Sequence, residues 1–496
     1  MKQFLSRFFL KDISKWQFWL LLAFIFKGII FIFLLYRHDI NPIPGFRGVI
    51  AGDTYSYFSP IDNFIAHGAY SPDFRMPGYG FLYYPFALLF SKTIAYNIII
   101  ILQFIAASLS VYCLALITHI IFKSKAMFYL TFYLFAISTY TSLFDSTLLT
   151  ESFTTSFLIF AVFFLLKVLQ NESKTTLNLV LSGLFLTEAI FMRPAFSPLL
   201  LPFSVVILVF FHRNQSRKFI LRLLVFMSPF LLFEGAWLTR NFIKHNKFIP
   251  VTSSLYYPNI ENTYYLPIYT LARSWGGSDQ IWEPDAEIRW FGIDDGLAPE
   301  LHNVNVSLPT YIYTSKFNYD SLVVLKKQLT LYLSNESNPA ADSLKMKSLL
   351  ITIRKKCYLY ANSIKEEKPF LYYVVAPIMR TKHFLVHSGT YNLFNTLTGQ
   401  LGRIPYCIKL FYSLLYLLVI GFGAIGIILL LWQSMRFTPV MLIWSIVVFT
   451  IVIHPIILGA GEKRYFVPAY PFMLIFAIYT ITILGKGLLK NRSSKI

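Results

Sequence analysis

The sequence predicts an all-α polytopic membrane protein of about ten transmembrane helices, and three observations lead there. Of its 496 residues, 56% are hydrophobic and only 14% charged, with a mean hydropathy of +0.57, too little polar material to clothe a soluble globule of this size. Apolar runs recur at roughly 20 residues, the helical length that crosses a hydrocarbon core about 30 Å thick. Basic residues cluster at the ends of these runs. In a soluble chain a formal charge of +20 would suggest nucleic acid; here anionic headgroups and lipid phosphates are the expected partners, and no nucleic acid.

The runs lie at about 16–36, 93–122, 126–143, 147–167, 176–192, 196–211, 219–238, 408–432, 438–457 and 465–485. The stretch 77–91 is apolar but too short to cross. Lys2, Arg7, Lys11 and Lys15 precede the first run, which is too long for a signal sequence and lacks a small-residue cleavage site, so it reads as a retained span. Ten spans put both termini on one side. Lys123, Lys125, Lys167, Lys174, Arg213, Arg217, Lys218, Arg222, Arg436, Lys486, Lys490, Arg492 and Lys495 collect on that side, which identifies it as cytoplasmic. The chain then divides into an N-terminal transmembrane module (1–238) with a first outer loop (37–92), an extracytoplasmic domain (239–407) and C-terminal transmembrane helices (408–496). Also outside are a short loop around Asp145, the Arg193 turn and the GAGEKRY turn from Gly459 to Tyr465.

The extracytoplasmic insertion is a different material, with Asp, Glu, Lys, Asn and Ser returning. Helical spacing of apolar residues over 340–366 and 369–384 predicts a mainly helical domain. Asp279, Glu283, Asp285, Glu287, Asp294, Asp295 and Glu300 form an acidic cluster that matches no calcium loop; an exposed acidic face or part of an acceptor site is the expectation, and a divalent cation stays open. Cys113, Cys357 and Cys407 give neither a disulfide framework nor metal spacing. His212, His245 and His454 lack ligand spacing and read as interfacial or packed, so no cofactor is expected.

In the first outer loop, Phe58, Ile61, Phe64 and Ile65 fall at helical spacing and stop at Gly68, which predicts a short amphipathic helix lying on the membrane. Asp53 stands just ahead of it, as a helix cap or as a chemical group. Asp62 falls on the polar face and His67 at the helix end. Arg75, followed by Met76-Pro77-Gly78-Tyr79, is placed near the headgroup plane. Its planar fork suits phosphate oxygens; simple snorkelling is the alternative.

A GD-x-x-x-Y pattern (Gly52, Asp53, Tyr57), followed by R-x-P-G-Y (Arg75, Pro77, Gly78, Tyr79), resembles the first outer loop of GT-C superfamily membrane glycosyltransferases, relatives of the protein O-mannosyltransferases and of the aminoarabinose transferase of lipid A. Further matches follow in order: Thr150-Glu151, Met192-Arg193-Pro194, Arg240-Asn241, and Arg464-Tyr465 with Pro468 and Pro471. They cover the membrane core and not residues 250–405. Where many relatives carry a second acid, Thr54 follows Asp53. The resemblance implies a transferase using a polyprenyl-phosphate-linked sugar and an extracytoplasmic glycan, lipid or protein acceptor, in the bacterial inner (cytoplasmic) membrane with its active site on the outer face. Asp53 would take the acceptor proton in a single inverting displacement, and Arg75, Arg464 and Tyr465 would hold the donor phosphate.

Tyr57, Tyr79, Asp145, Glu151, Arg193 and Arg240 are the candidates for acceptor or sugar binding. Asp145 has the alternative of capping the fourth span. Glu151, read as a turn inside an apolar helix, needs a partner such as Arg193, Arg240 or a sugar hydroxyl, because an unpaired charge there costs several kcal/mol. Glu188 and Glu234 are further acids in spans with no assigned role. Three other classes compete. A transporter or lipid flippase would line the midplane with charge; a lipid-linked glycan ligase or polymerase would need similar arginines but not the GD-x-x-x-Y acid. A membrane-anchored scaffold leaves the ordered motifs unexplained.

Overall fold

The computed structural model describes residues 12–37, 43–73, 75–170, 174–213, 218–251, 263–278, 286–293, 306–336, 342–394, 398–432 and 439–493. Among them there is no strand, only a single parallel bridge between Val49 and Thr147. Among the described residues eight helices are long and apolar enough to cross a membrane: Trp16–Tyr36, Lys92–Phe122, Glu151–Leu169, Thr175–Met192, Pro194–His212, Phe219–His245, Arg403–Leu431 and Pro439–Ile457. The protein is an integral membrane protein.

Two of the ten expected spans come out differently. The run 126–143 is a helix only over Lys125–Ala136, and 12 residues rise roughly 18 Å, short of the bilayer core. After it Ser138 turns extended, a one-turn helix spans Thr139–Ser142, and 143–150 is irregular, with the Asp145 side chain paired to Lys27. The last run begins late: Lys463–Phe466 is a 3-10 turn, and the apolar stretch Tyr470–Gly485 belongs to a helix reaching Ser493.

The chain packs as two units, residues 1–256, 388–450 and 464–496 in one and residues 257–387 and 451–463 in the other. In the first unit the helices are α1 (Trp16–Arg37), α2 (Thr54–His67), α3 (Gly78–Leu89), α4 (Lys92–Phe122), α5 (Lys125–Ala136), α6 (Thr139–Ser142), α7 (Glu151–Leu169), α8 (Thr175–Met192), α9 (Leu200–Arg213) and α10 (Phe219–His245). α7 is the most enclosed, packed between α4 and α8. Without a hydrophobic drive between helices in lipid, close backbone approach at small residues supplies attraction. Gly183 of α8 shows this: a Cβ there would stand 2.0 Å from the Phe226 carbonyl oxygen of α10. α2 is the predicted amphipathic helix, and Gly68 ends it at φ 68°, in the left-handed region that glycine adopts without strain.

The second unit is helical as expected, with α11 (Tyr265–Ser274), α12 (Tyr319–Glu336), α13 (Ser343–Glu367) and α14 (Ala376–Leu385), the last preceded by a π-turn at Leu371–Val375. Asp342 caps α13 through bonds from the Leu344 and Lys345 N–H groups at 3.0 and 3.3 Å. Ile268, Trp275, Phe291, Leu325 and Ile353 form its core. Three further helices belong to the first unit, α15 (Arg403–Trp432), α16 (Pro439–Ile451, of which only Ile451 falls in the second unit) and α17 (Tyr470–Ser493), which packs on α15.

Of the acidic cluster, only Glu287 lies among the described residues, and its carboxylate accepts from the Ser278 N–H at 2.5 Å. Asp279, Glu283, Asp285, Asp294, Asp295 and Glu300, like Lys2, Arg7, Lys11, Arg217, Arg436 and Lys495 of the charge count, lie outside them. Among the described residues no group of three or more His, Cys, Asp or Glu is placed to hold a metal ion.

Candidate functional site

The site is built on the irregular segment 143–150. The Val49 N–H donates to the Ser146 carbonyl at 2.8 Å and the Leu148 N–H to the Val49 carbonyl at 3.0 Å, stapling the first loop to this segment. Thr54, buried, fixes the next turn: its hydroxyl accepts from the Ala51 N–H and donates to the Leu148 carbonyl, both at 2.9 Å. Thr54, the residue after Asp53, is therefore turned into the scaffold, whereas the Asp53 carboxylate bonds to arginines.

Asp53 is not a helix cap. It occupies the capping position of α2, but its side chain makes no bond to the helix N–H groups. One carboxylate oxygen, Oδ1, accepts from Arg75 Nη2 at 2.9 Å, and the other, Oδ2, from Arg464 Nη2 at 2.6 Å. Arg75 is oriented further by Nε to the Ser56 hydroxyl at 3.1 Å and by the Tyr57 ring, 4.8 Å from its guanidinium carbon. Neither arginine snorkels away. Their side chains are 33% and 21% exposed, with guanidinium groups aimed at Asp53.

Behind this pair lies a second one. Glu151, fully buried, is the first residue of α7, not one a turn inside it. Its Oε1 is paired with Arg193 Nη2 and lies 3.8 Å from Arg464 Nε, while Arg193 Nε donates to the Thr150 hydroxyl at 3.0 Å. Glu151 Oε2 has no hydrogen-bond partner among the described residues. The Tyr465 ring lies 5.0 Å from the Arg193 guanidinium carbon and 5.5 Å from that of Arg464. Three guanidinium groups thus face two carboxylates among the described residues. Burial opposes ionisation of Asp53, but the charges of Arg464 and Arg75, the hydrogen bond from Arg464 and the charge of Arg193 outweigh it and hold the carboxyl below its ordinary range.

Asp53, Tyr57, Arg75, Glu151, Arg193, Arg464 and Tyr465 are brought together, and the Tyr79 ring packs edge-on against Tyr57 at 5.6 Å; Asp145 and Arg240 stand apart. Tyr79 is fully buried beneath the site, its hydroxyl donating to Gln103 of α4, whose amide in turn donates to the carbonyls of Phe144, Asp145 and Thr147. Asp145 neither caps α7 nor faces the site. It is paired with Lys27 of α1 at 3.1 Å and accepts from the Ser152 hydroxyl at 2.7 Å, while Lys27 also donates to Ser142 at 2.9 Å. Arg240 pairs with Asp73 at 2.8 Å, as do Lys244 at 3.1 Å and His245 at 2.8 Å, and its Nη2 reaches the Tyr70 carbonyl. Through Tyr70, whose hydroxyl donates to the Arg75 carbonyl at 3.2 Å, this cluster fixes the strap that presents Arg75. Burial raises the Asp73 pKa, but hydrogen bonds from Lys244, His245 and Arg240 and the Arg240 charge bring it down to about 2. Asp62, expected in solvent, pairs with Lys92 at 2.7 Å and accepts from Tyr83 at 2.9 Å. Glu234 accepts from the Val251 N–H at 2.6 Å.

Sequence reasoning missed Lys27, Gln103 and Asp73. For the first two the signal was present, a lysine and a glutamine in the middle of apolar spans, where a polar group needs a partner.

No protein-family model matches the chain, and no curated protein matches it. Among solved structures, it is similar to the archaeal oligosaccharyltransferase AglB from Archaeoglobus fulgidus, in complex with an inhibitory peptide and a dolichol-phosphate, at 11% identity and a TM-score of 0.46 over 97% of this chain and 52% of that one. A second Archaeoglobus fulgidus oligosaccharyltransferase structure, tethered to an acceptor peptide containing the NVT sequon, gives 12% identity and a TM-score of 0.34 over 80% and 54%. The chain spans about half the length of each. Values this low assign it neither family nor activity.

Proposed function

We propose that the protein is a glycosyltransferase that moves a sugar from a polyprenyl-phosphate donor to an acceptor on the outer face of the bacterial inner membrane, with inversion. The observation that carries this is the meeting of Arg75 and Arg464 on one carboxylate, Asp53, which stands 411 positions from Arg464 in sequence. A guanidinium pair converging on an oxyanion is the arrangement a phosphate needs, and here the carboxylate occupies it.

Donor binding follows as an exchange. The lipid phosphate takes the guanidinium groups of Arg75 and Arg464, and Asp53 is released from them. Since those arginines hold its proton affinity down, release raises it at the moment a base is required. The acceptor hydroxyl then attacks the anomeric carbon as the bond from that carbon to the phosphate oxygen breaks. The proton passes to Asp53, and the electron pair leaves on the phosphate, where the two arginines stabilise it. Glu151, fully buried and paired with Arg193, braces the arginines from behind the Asp53 carboxylate.

A transporter would draw on the buried Lys27–Asp145 pair, but Ser142 and Ser152 close both ends of it with hydrogen bonds, as in a structural clamp. Purified protein is incubated with labelled polyprenyl-phosphate sugars and candidate acceptors. Transfer that Asp53→Asn abolishes supports the proposal; polyprenyl phosphate release unaltered by that change removes Asp53 as base, and substrate flux into vesicles without release favours transport.

A further inference from the structure

Residues 369–385 form a helix with two unlike faces. On one, Leu371 and Tyr372 pack against the core of the second unit, and Ala376 and Phe384 are fully buried. On the other, Phe370, Tyr373, Val374 and Ile378 follow one another at helical spacing and stand exposed, Phe370 at 70% and Ile378 at 63%. Protein surfaces in water seldom leave so continuous an apolar stripe uncovered. No Asp or Glu occurs between Lys368 and Glu462, whereas Lys382 and His383 stand exposed at the end of the stripe, and Lys365 lies 6.0 Å from the Tyr373 ring.

A second observation fixes the level of this helix. Two residues beyond Ile378, Arg380 Nε donates to the Pro455 carbonyl at 2.9 Å, and the Phe384 ring packs on His454 at 6.0 Å between centroids. Pro455 and His454 belong to the terminal π-turn Val452–Ile457 of the span Pro439–Ile457. There Ile456, Ile457 and Leu458 are exposed apolar residues at the end of a membrane-spanning helix. The two-faced helix is therefore tied by a side-chain bond to the place where a span leaves the hydrocarbon.

We propose that residues 369–385 lie in the lipid–water interface and anchor the second unit to the bilayer, with the Phe370, Tyr373, Val374 and Ile378 stripe at the acyl boundary and Lys382 and His383 among anionic headgroups. An amphipathic, aromatic and basic helix of this kind binds by its apolar area together with its attraction to anionic lipid.

The test uses the full chain in vesicles, with Cys113, Cys357 and Cys407 replaced and single cysteines introduced by Phe370→Cys, Tyr373→Cys, Val374→Cys or Ile378→Cys. Each is labelled with an environment-sensitive fluorophore, and Ser348→Cys on the exposed face of α13 is the aqueous control. The stripe labels should be quenched several-fold more by lipid-borne nitroxides than the control and several-fold less by aqueous iodide. Their lipid quenching should weaken when phosphatidylglycerol is replaced by phosphatidylcholine. Iodide access equal to that of Ser348→Cys at all four positions overturns the proposal. So does protection from both quenchers that is lost when the protein is diluted into excess lipid, because a second copy then covers the stripe. Equal lipid quenching in the two lipids overturns the headgroup assignment.

Discussion

Asp53 and Asp145 are both carboxylates paired with cations in the same unit, yet they are built for opposite purposes. The Asp145 side chain is 4% exposed and its Lys27 partner 1%, each with a further hydrogen bond to a serine; the Asp53 side chain is 29% exposed and held by two arginines that are themselves partly exposed. Pairing alone does not make a site. What separates the two is whether an incoming anion can replace the carboxylate.

The comparison breaks most readily at Asp53. Asp53→Asn should lower transfer by roughly 10²- to 10⁴-fold, the range for losing a general base, while shifting stability by about 1 kcal/mol or less, as for a partly exposed ion pair; a transfer assay and thermal unfolding in detergent check both. Arg464→Ala should cost ~10²- to 10³-fold in transfer, since it removes charge from the leaving phosphate, and should weaken binding of polyprenyl phosphate. Asp145 should behave in the reverse way. Lys27→Met leaves its carboxylate buried without a cation and should destabilise the fold by about 3–5 kcal/mol, whereas Lys27→Met with Asp145→Leu should recover most of that loss. Equal stability of the single and double variants would show that the pair is not a clamp.

The smallest effect is expected at Asp73. Its folded pKa, about 2, is depressed below that of an unfolded aspartate, so its contribution is fully present above the unfolded value and is lost as pH falls through the folded one. Unfolding midpoints of wild type and Asp73→Asn should differ above about pH 4 and converge toward pH 2. A constant difference across that window would mean that Arg240, Lys244 and His245 do not act through the carboxylate charge.

Much of this was legible in the sequence, for identifiable reasons. Span length and apolar composition report directly on the bilayer, so the all-helical membrane class was readable, as was the amphipathic α2 with its terminating Gly68. The two shortened spans were not, because apolar content cannot distinguish Lys125–Ala136 followed by a buried hydroxyl-rich segment from a full crossing. Residues whose neighbours are local or sign-complementary, such as Asp53 and Arg75, were readable as candidates. That Tyr79, Asp145 and Arg240 bond to Gln103, Lys27 and Asp73 was not readable, because packing between segments far apart in sequence sets those partners. A mid-span lysine fixes that a partner exists without fixing which acid it is.

Polyprenyl phosphate binding to the wild type and to Asp53→Asn tests the central claim most directly, because the carboxylate and the lipid phosphate are held to compete for Arg75 and Arg464. Removing the carboxylate's charge should leave affinity unchanged or raise it while transfer is lost. Weaker binding by Asp53→Asn, or transfer at the wild-type rate, would contradict the exchange.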